Sequence, residues 1–231
     1  MSPAVAAALE NAEKALAALR AAIIADAKPL PLPAPAIPFR GPAKRLTDAD
    51  IQEAATMLMV TPAKIRAVLE VESRGQGFGP DGRPIILFEP HVFSRLTAHR
   101  FDATHGGVSY PKWGQKPYKK TQAERYDQLI YAMNLDREAA LKSASWGLFQ
   151  IMGFNHSVCG FTTVAEFVDS MCEGEREHLL AFVAFVVSNK LDDELRDGRW
   201  AEFAERYNGP AYATHGYHTK LAAAHEKWSR A

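Results

Sequence analysis

Residues 62–75 read Pro-Ala-Lys-Ile-Arg-Ala-Val-Leu-Glu-Val-Glu-Ser-Arg-Gly. Proline is tolerated in a first helical turn and glycine ends helices, so the stretch predicts a helix opened by Thr61 and Pro62 and stopped at Gly75. Ile65, Val68, Leu69 and Glu72 recur at spacings of three and four, which puts all four on one face. Glu72 therefore points with the apolar side chains, while Glu70 lies on nearly the opposite face. In the last turn a carboxylate meets the negative end of the helix dipole, and partial burial disfavours its charge as well. Both effects raise its pKa. An acid still protonated near neutral pH can donate to a glycosidic oxygen, which makes Glu72 a candidate general acid. The same side chain could instead cap the glycine-rich loop that follows, or pair with Arg66 or Arg74.

On the C-terminal side, Gly75, Gly77, Gly79, Pro80, Gly82 and Pro84 fill the next segment with turns, and the apolar run 85–88 reads as a short strand of a small hairpin. Apolar spacing and caps then predict helices over 90–98, 121–142, 145–152, 162–171, 174–190, 199–206 and 213–229. Residues 101–120 hold glycines, prolines, Tyr110, Trp113, Tyr118 and lysines, the composition of a surface loop with exposed aromatics. On the N-terminal side, Thr47 and Asp50 form a capping signal for a helix through about residue 59. The alanine-rich stretch 4–28 places Val5, Leu9, Ala12, Leu16, Leu19 and Ile23 on a heptad seam, compatible with self-association, with docking on the rest of the chain or with a loose tail. Six prolines between 29 and 42 forbid a continuous helix and predict an extended spacer. The expected organisation is an N-terminal helix over 1–28, a linker over 29–45 and a mainly α-helical domain over 46–231 with a little β-structure.

An apolar fraction of 47% and a charged fraction of 23% belong to a folded protein. Lysine plus arginine and aspartate plus glutamate both number 27, so no global attraction to nucleic acid or anionic lipid is expected. Glu10, Glu13, Lys14 and Arg20 interrupt the N-terminal alanine-rich stretch, which argues against a secretion signal or a membrane span. Synthesis as a soluble cytoplasmic product is expected. Cys159 and Cys172 have neither metal-ligand spacing nor a disulfide framework. His91, His99 and His105 lack a His-x-x-x-His pair, so no metal or other cofactor is expected.

The segment Val71-Glu72-Ser73-Arg74-Gly75 resembles the Glu-Ser signature of lysozyme-like lytic enzymes. Ser145-Trp146-Gly147-Leu148-Phe149-Gln150-Ile151-Met152-Gly153-Phe154 resembles the Gly-Leu-Met-Gln-Ile motif of the same superfamily, and Arg206-Tyr207-Asn208-Gly209-Pro210 resembles its Tyr-Asn motif. With Ile86-Leu87-Phe88-Glu89, and in this order, they resemble the N-acetylmuramidase family of phage and prophage endolysins over roughly residues 46–228. Some relatives carry a globular wall-binding module at the N-terminus, where this chain offers a helix and a spacer.

The resemblance implies a lysozyme-like α+β fold with a small β-hairpin beside an active-site cleft, peptidoglycan glycan strands as substrate, no stable membrane insertion, and release to the periplasm through a holin-made lesion. It implies catalysis by Glu72, with Ser73, Gln150, Tyr207 and Asn208 at the substrate. Glu89 is the preferred second carboxyl group, expected to face Glu72 from the hairpin region, or else to orient Arg83 or His91; Asp81 reads as a turn former. Trp146 and Phe149 are expected in the core. A lytic transglycosylase, in which the muramic 6-hydroxyl replaces water, and a non-catalytic wall-binding module are the alternatives.

Overall fold

The computed structural model describes residue 14 and residues 39–72, 75–209 and 212–230. The expected N-terminal helix, Lys14 apart, and the first part of the expected linker lie outside the described residues, as do Ser73 and Arg74. The chain divides into two units, 1–34 and 35–231.

The described part of the second unit is mainly helical, with one small antiparallel sheet. In chain order it comprises α1 (Asp48–Leu58), α2 (Pro62–Glu72), β1 (Ile86–Phe88), α3 (Pro90–Leu96), α4 (Gln122–Leu135), α5 (Arg137–Lys142), β2 (Ala144–Trp146) and β3 (Ile151–Met152). A 3-10 turn (Gly153–Asn155) then leads to α6 (Val164–Glu173), α7 (Glu175–Ser188), α8 (Asp192–Asp197), α9 (Trp200–Asn208) and α10 (Tyr217–Ser229). The expected fold class is the observed one. Thr47 and Asp50 cap α1 reciprocally, and Thr121 with Glu124 and Thr163 with Glu166 do the same for α4 and α6.

Two expected elements differ. Residues 145–152, read as a helix, instead form the β2–β3 hairpin. Gly147 at φ 68° and Gln150 at φ 50° are left-handed, which a continuing right-handed helix forbids, and a short apolar run does not by its spacing separate strand from helix. The hairpin joins β1 in the order β1-β2-β3, with Leu87 opposite Ser145 and Ser145 opposite Met152. The single helix expected over 121–142 breaks at Asp136, whose extended backbone lets its carboxylate cap α5 through the Ala139 N–H at 3.0 Å. Helix α8, closed by Gly198, was not expected from the sequence.

The core centres on α7, where Leu179, Phe182, Val183 and Val186 are buried, each such side chain contributing about 1.5–3 kcal/mol. Trp146 and Phe149 belong to it. Phe149 stacks on Phe182 with centroids 4.5 Å apart, and Trp146 donates its indole N–H to the Leu141 carbonyl at 3.2 Å. The folded unit also reaches further toward the N-terminus than the boundary expected at Leu46. Phe39 is buried against Tyr126 and Trp146, with centroids 5.2 and 5.7 Å away, and Arg45 pairs with Glu175 at 2.7 Å. Prolines on either side obscured the one aromatic that docks.

Helix α10 packs along α2 and fixes it. Lys227 and Trp228 both donate to Glu70 at 2.8 Å, and the Arg66 guanidinium lies 5.1 Å over the Trp228 ring. The helix that carries Glu72 is thus clamped on the face away from that residue. Among the described residues no helix is long and apolar enough to cross a membrane.

Candidate active site

An open cleft of about 670 Å³ lies where the last turn of α2, the sheet and the C-terminal end of α9 converge. Glu72, Gln150, Tyr207 and Asn208, drawn from three separate sequence motifs, all line it, together with Leu87 and Ser145. Glu72 is the one carboxyl group among the described lining residues.

The electrostatics of Glu72 follow from its surroundings. Burial raises its pKa above the ordinary 4.5, and two smaller effects oppose the rise: a hydrogen bond from Asn208 and the positive charge of Lys220. Asn208, the last residue of α9, donates Nδ2–H to Glu72 Oε1 at 3.0 Å. Arg66, one conceivable partner, is instead engaged by Asp48 at 2.8 Å. What results is a mostly buried acid held in one orientation by a neutral amide. Tyr207 braces this end of the cleft, stacking on Phe203 at 5.5 Å and meeting Phe182 and Phe185 edge-on.

The opposite wall is the β2–β3 turn. Gln150 reaches the cleft, but its amide is engaged by the protein: Nε2 donates to the carbonyls of Gly147 at 2.8 Å and Ile85 at 3.1 Å, and Oε1 accepts from Ser145 Oγ at 3.0 Å. Both amide protons close the turn, leaving one lone pair of Oε1 for a ligand. Beneath the turn sits buried His178, which accepts from the Leu148 N–H at Nδ1 (3.0 Å) and donates from Nε2 to the Met171 carbonyl (2.7 Å). Burial lowers its pKa, in keeping with the neutral ring that these partners require. A β-carbon on Gly147 would lie 2.7 Å from that ring. One turn earlier on α7, Glu175 accepts from Gly77 N–H and Leu46 N–H, both at 2.9 Å. A single turn of α7 therefore supports both the loop after Glu72 and the turn carrying Gln150.

Glu89, expected to face Glu72, is not among the described residues lining the cleft. It follows Leu87 by two positions, continuing the cleft-facing side of β1 toward α3. Its carboxyl accepts from the Tyr118 hydroxyl at 2.7 Å and lies 3.2 Å from His91 Nδ1, and burial raises its pKa. Asp81 is a turn former, accepting from its near neighbour Arg83 at N (3.1 Å) and Nε (2.6 Å). Ser73 lies outside the described residues. Sequence reasoning missed Arg125, which lines the cleft and donates to Ile86 O at 3.1 Å and Lys119 O at 3.0 Å; nothing in its helical pattern marked it. It also missed Glu175 and His178, which the run Glu175-Arg176-Glu177-His178 at the helix start does not set apart from its charged neighbours.

The family model described as Muramidase, N-acetylmuramidase, matches residues 61–229. The solved structure titled Burkholderia AP3 phage endolysin is similar to the chain at 45% sequence identity, covering 81% of this chain and 73% of that one with a TM-score of 0.77. No curated protein matches.

Proposed function

The chain belongs to the N-acetylmuramidase family, and from that membership we propose that it is an endolysin cleaving the β-1,4 bond between N-acetylmuramic acid and N-acetylglucosamine in peptidoglycan, with Glu72 as general acid. One observation carries the assignment of the acid: the sole carboxyl group among the described lining residues is mostly buried, has a raised pKa and is hydrogen-bonded by Asn208. Protonated Glu72 donates to the leaving oxygen as the glycosidic bond breaks. The Asn208 amide, aimed at Oε1, stabilises the carboxylate left behind and keeps it in place to accept a proton from the incoming nucleophile. Gln150 shapes the opposite wall, and Ser73 and Tyr207 complete the substrate contacts in this reading.

Glu89 is the second carboxyl group of the proposal, and its bonds to Tyr118 and His91 suit a positioning role better than attack on the sugar. One carboxyl group among the described lining residues also favours a second reading, the lytic transglycosylase, because attack by the muramic 6-hydroxyl needs no separate carboxylate to activate water. Synthesis in the host cytoplasm and action on the periplasmic wall after release belong to the same proposal, as does a catalytic unit preceded by an N-terminal appendage. Mass spectrometry of digested peptidoglycan tests the chemistry. Reducing N-acetylmuramic ends are expected, and anhydro ends on every fragment would replace the hydrolase by the transglycosylase. Glu72→Gln is expected to lower turnover by roughly 10²–10⁴-fold and Glu89→Gln by about tenfold, less than the loss of a general acid or base. Equal losses would return Glu89 to the chemistry itself, and full activity in Glu72→Gln would end the assignment.

A further inference from the structure

The chain as a whole is neutral, yet residues 103–123 contain no aspartate or glutamate while Lys112, Lys116, Lys119 and Lys120 crowd into nine positions. Every residue from 111 to 120 is exposed. Among the described residues Lys112, Lys119 and Lys120 form no salt bridge. Trp113, in the same loop, is 73% exposed, the largest exposure of any large hydrophobic side chain described. A cluster of like charges repels itself, and an exposed indole is a standing contact surface, so the combination fits a partner that is anionic and flat-faced.

This loop is tied down, and tied to the cleft. The Tyr118 hydroxyl is bonded to Glu89, two residues beyond Leu87 on the cleft-facing side of β1. The Lys119 carbonyl accepts from Arg125, itself a lining residue of the cleft. At its base Tyr110 is buried, with the Lys116 ammonium 5.8 Å from the ring and bonded to the Gly106 carbonyl. The basic surface is therefore preorganised as a continuation of one cleft rim, which lowers the ordering cost of binding.

We propose that residues 110–120 form a basic platform that binds the anionic peptide stems of peptidoglycan beside the cleft. The proposal rests on the functional reading above and deepens it. The amino sugars of a glycan strand offer few charges, whereas the stems leaving that strand carry free carboxylates. A strand lying in the cleft sends a stem sideways at each muramic residue, toward a rim where Lys112, Lys119 and Lys120 present exposed ammonium groups and Trp113 a flat ring. A lipid-inserting loop would instead expose several apolar side chains, and here only Trp113 and the edge of Tyr118 are available.

The test compares end-labelled soluble glycan strands that keep their stems with strands stripped of them by an amidase, whose freed lactyl carboxylates are then capped as methylamides. Binding is followed by fluorescence anisotropy in the full-length Glu72→Gln protein, with and without Lys112→Gln, Lys119→Gln and Lys120→Gln. Stem-bearing strands are expected to bind about tenfold more tightly than stripped ones, a preference weakened by salt and lost in the triple variant, since exposed charge pairs add modestly and are screened. Replacing the same three lysines by arginine is expected to restore it, and thermal unfolding checks that the variants fold. A triple variant that keeps the preference, loses affinity equally for both strands, or loses binding only to phosphatidylglycerol vesicles would overturn the platform. With Glu72 intact, cleavage of stripped strands reads the cleft by itself. Cleavage of neither strand type refutes the functional reading, whereas cleavage of stripped strands without any stem preference refutes only this inference.

Discussion

A carboxyl group that is buried without a cation in contact binds its proton more tightly in the folded than in the unfolded chain, and Glu72 is in that position. Its folded pKa lies above the ordinary 4.5, so its contribution to stability is full below that pH and is lost as the pH rises through the folded value. Above the folded value the ionised, desolvated side chain opposes folding. Glu72→Gln is therefore expected to raise the unfolding temperature at alkaline pH and leave it unchanged at acid pH, while lowering kcat by roughly 10²–10⁴-fold. Scanning calorimetry at both pH values and turnover of peptidoglycan check the two halves. Asn208 lowers the same pKa through its hydrogen bond, so Asn208→Ala is expected to move the basic limb of the kcat/KM profile to higher pH while reducing its height. An unmoved limb would show that another group controls it. The direction in which Glu72 points was legible from the spacing of Ile65, Val68 and Leu69. The engagement of Gln150 by Gly147 and Ile85 was not, because it depends on a left-handed backbone that no side-chain pattern announces.

The β2–β3 hairpin shows why some elements escape the sequence. Its apolar residues fit a helix or a strand equally, and the choice is made by pairing with β1, more than fifty positions earlier, and by His178 from below. Gly147 meets both constraints, with φ at 68° and no room for a β-carbon beside the histidine ring. Gly147→Ala is expected to destabilise the fold by about 2–4 kcal/mol, adding left-handed strain to overpacking. Urea unfolding would measure it, and a loss under 1 kcal/mol would mean that the turn yields easily. Helices with a threonine cap and an acidic third residue were legible, since capping is local chemistry. The break at Asp136 is local too, but an aspartate within a long helical pattern is as readily an exposed helix residue as a cap.

Across the whole molecule, the core reaches Phe39, beyond the boundary suggested by the prolines. A chain starting at residue 35 is expected to unfold at the same temperature as the full chain. One starting at residue 46 loses Phe39 and the Arg45–Glu175 pair and is expected to be less stable by about 3–5 kcal/mol, the range for deleting a buried aromatic. Equal unfolding temperatures for the two truncations would show Phe39 to be dispensable. By itself the sequence determined the helical character, the face on which Glu72 lies and the three motifs that belong together, because periodicity, caps and motif order are written along the chain. Only the tertiary structure decided that Asn208 hydrogen-bonds Glu72, that Gln150 serves its own turn, that Glu89 is held by Tyr118 and His91 and that α7 supports both walls. Those outcomes depend on distances between residues far apart in the chain, which are set when one core closes around Phe182 and His178.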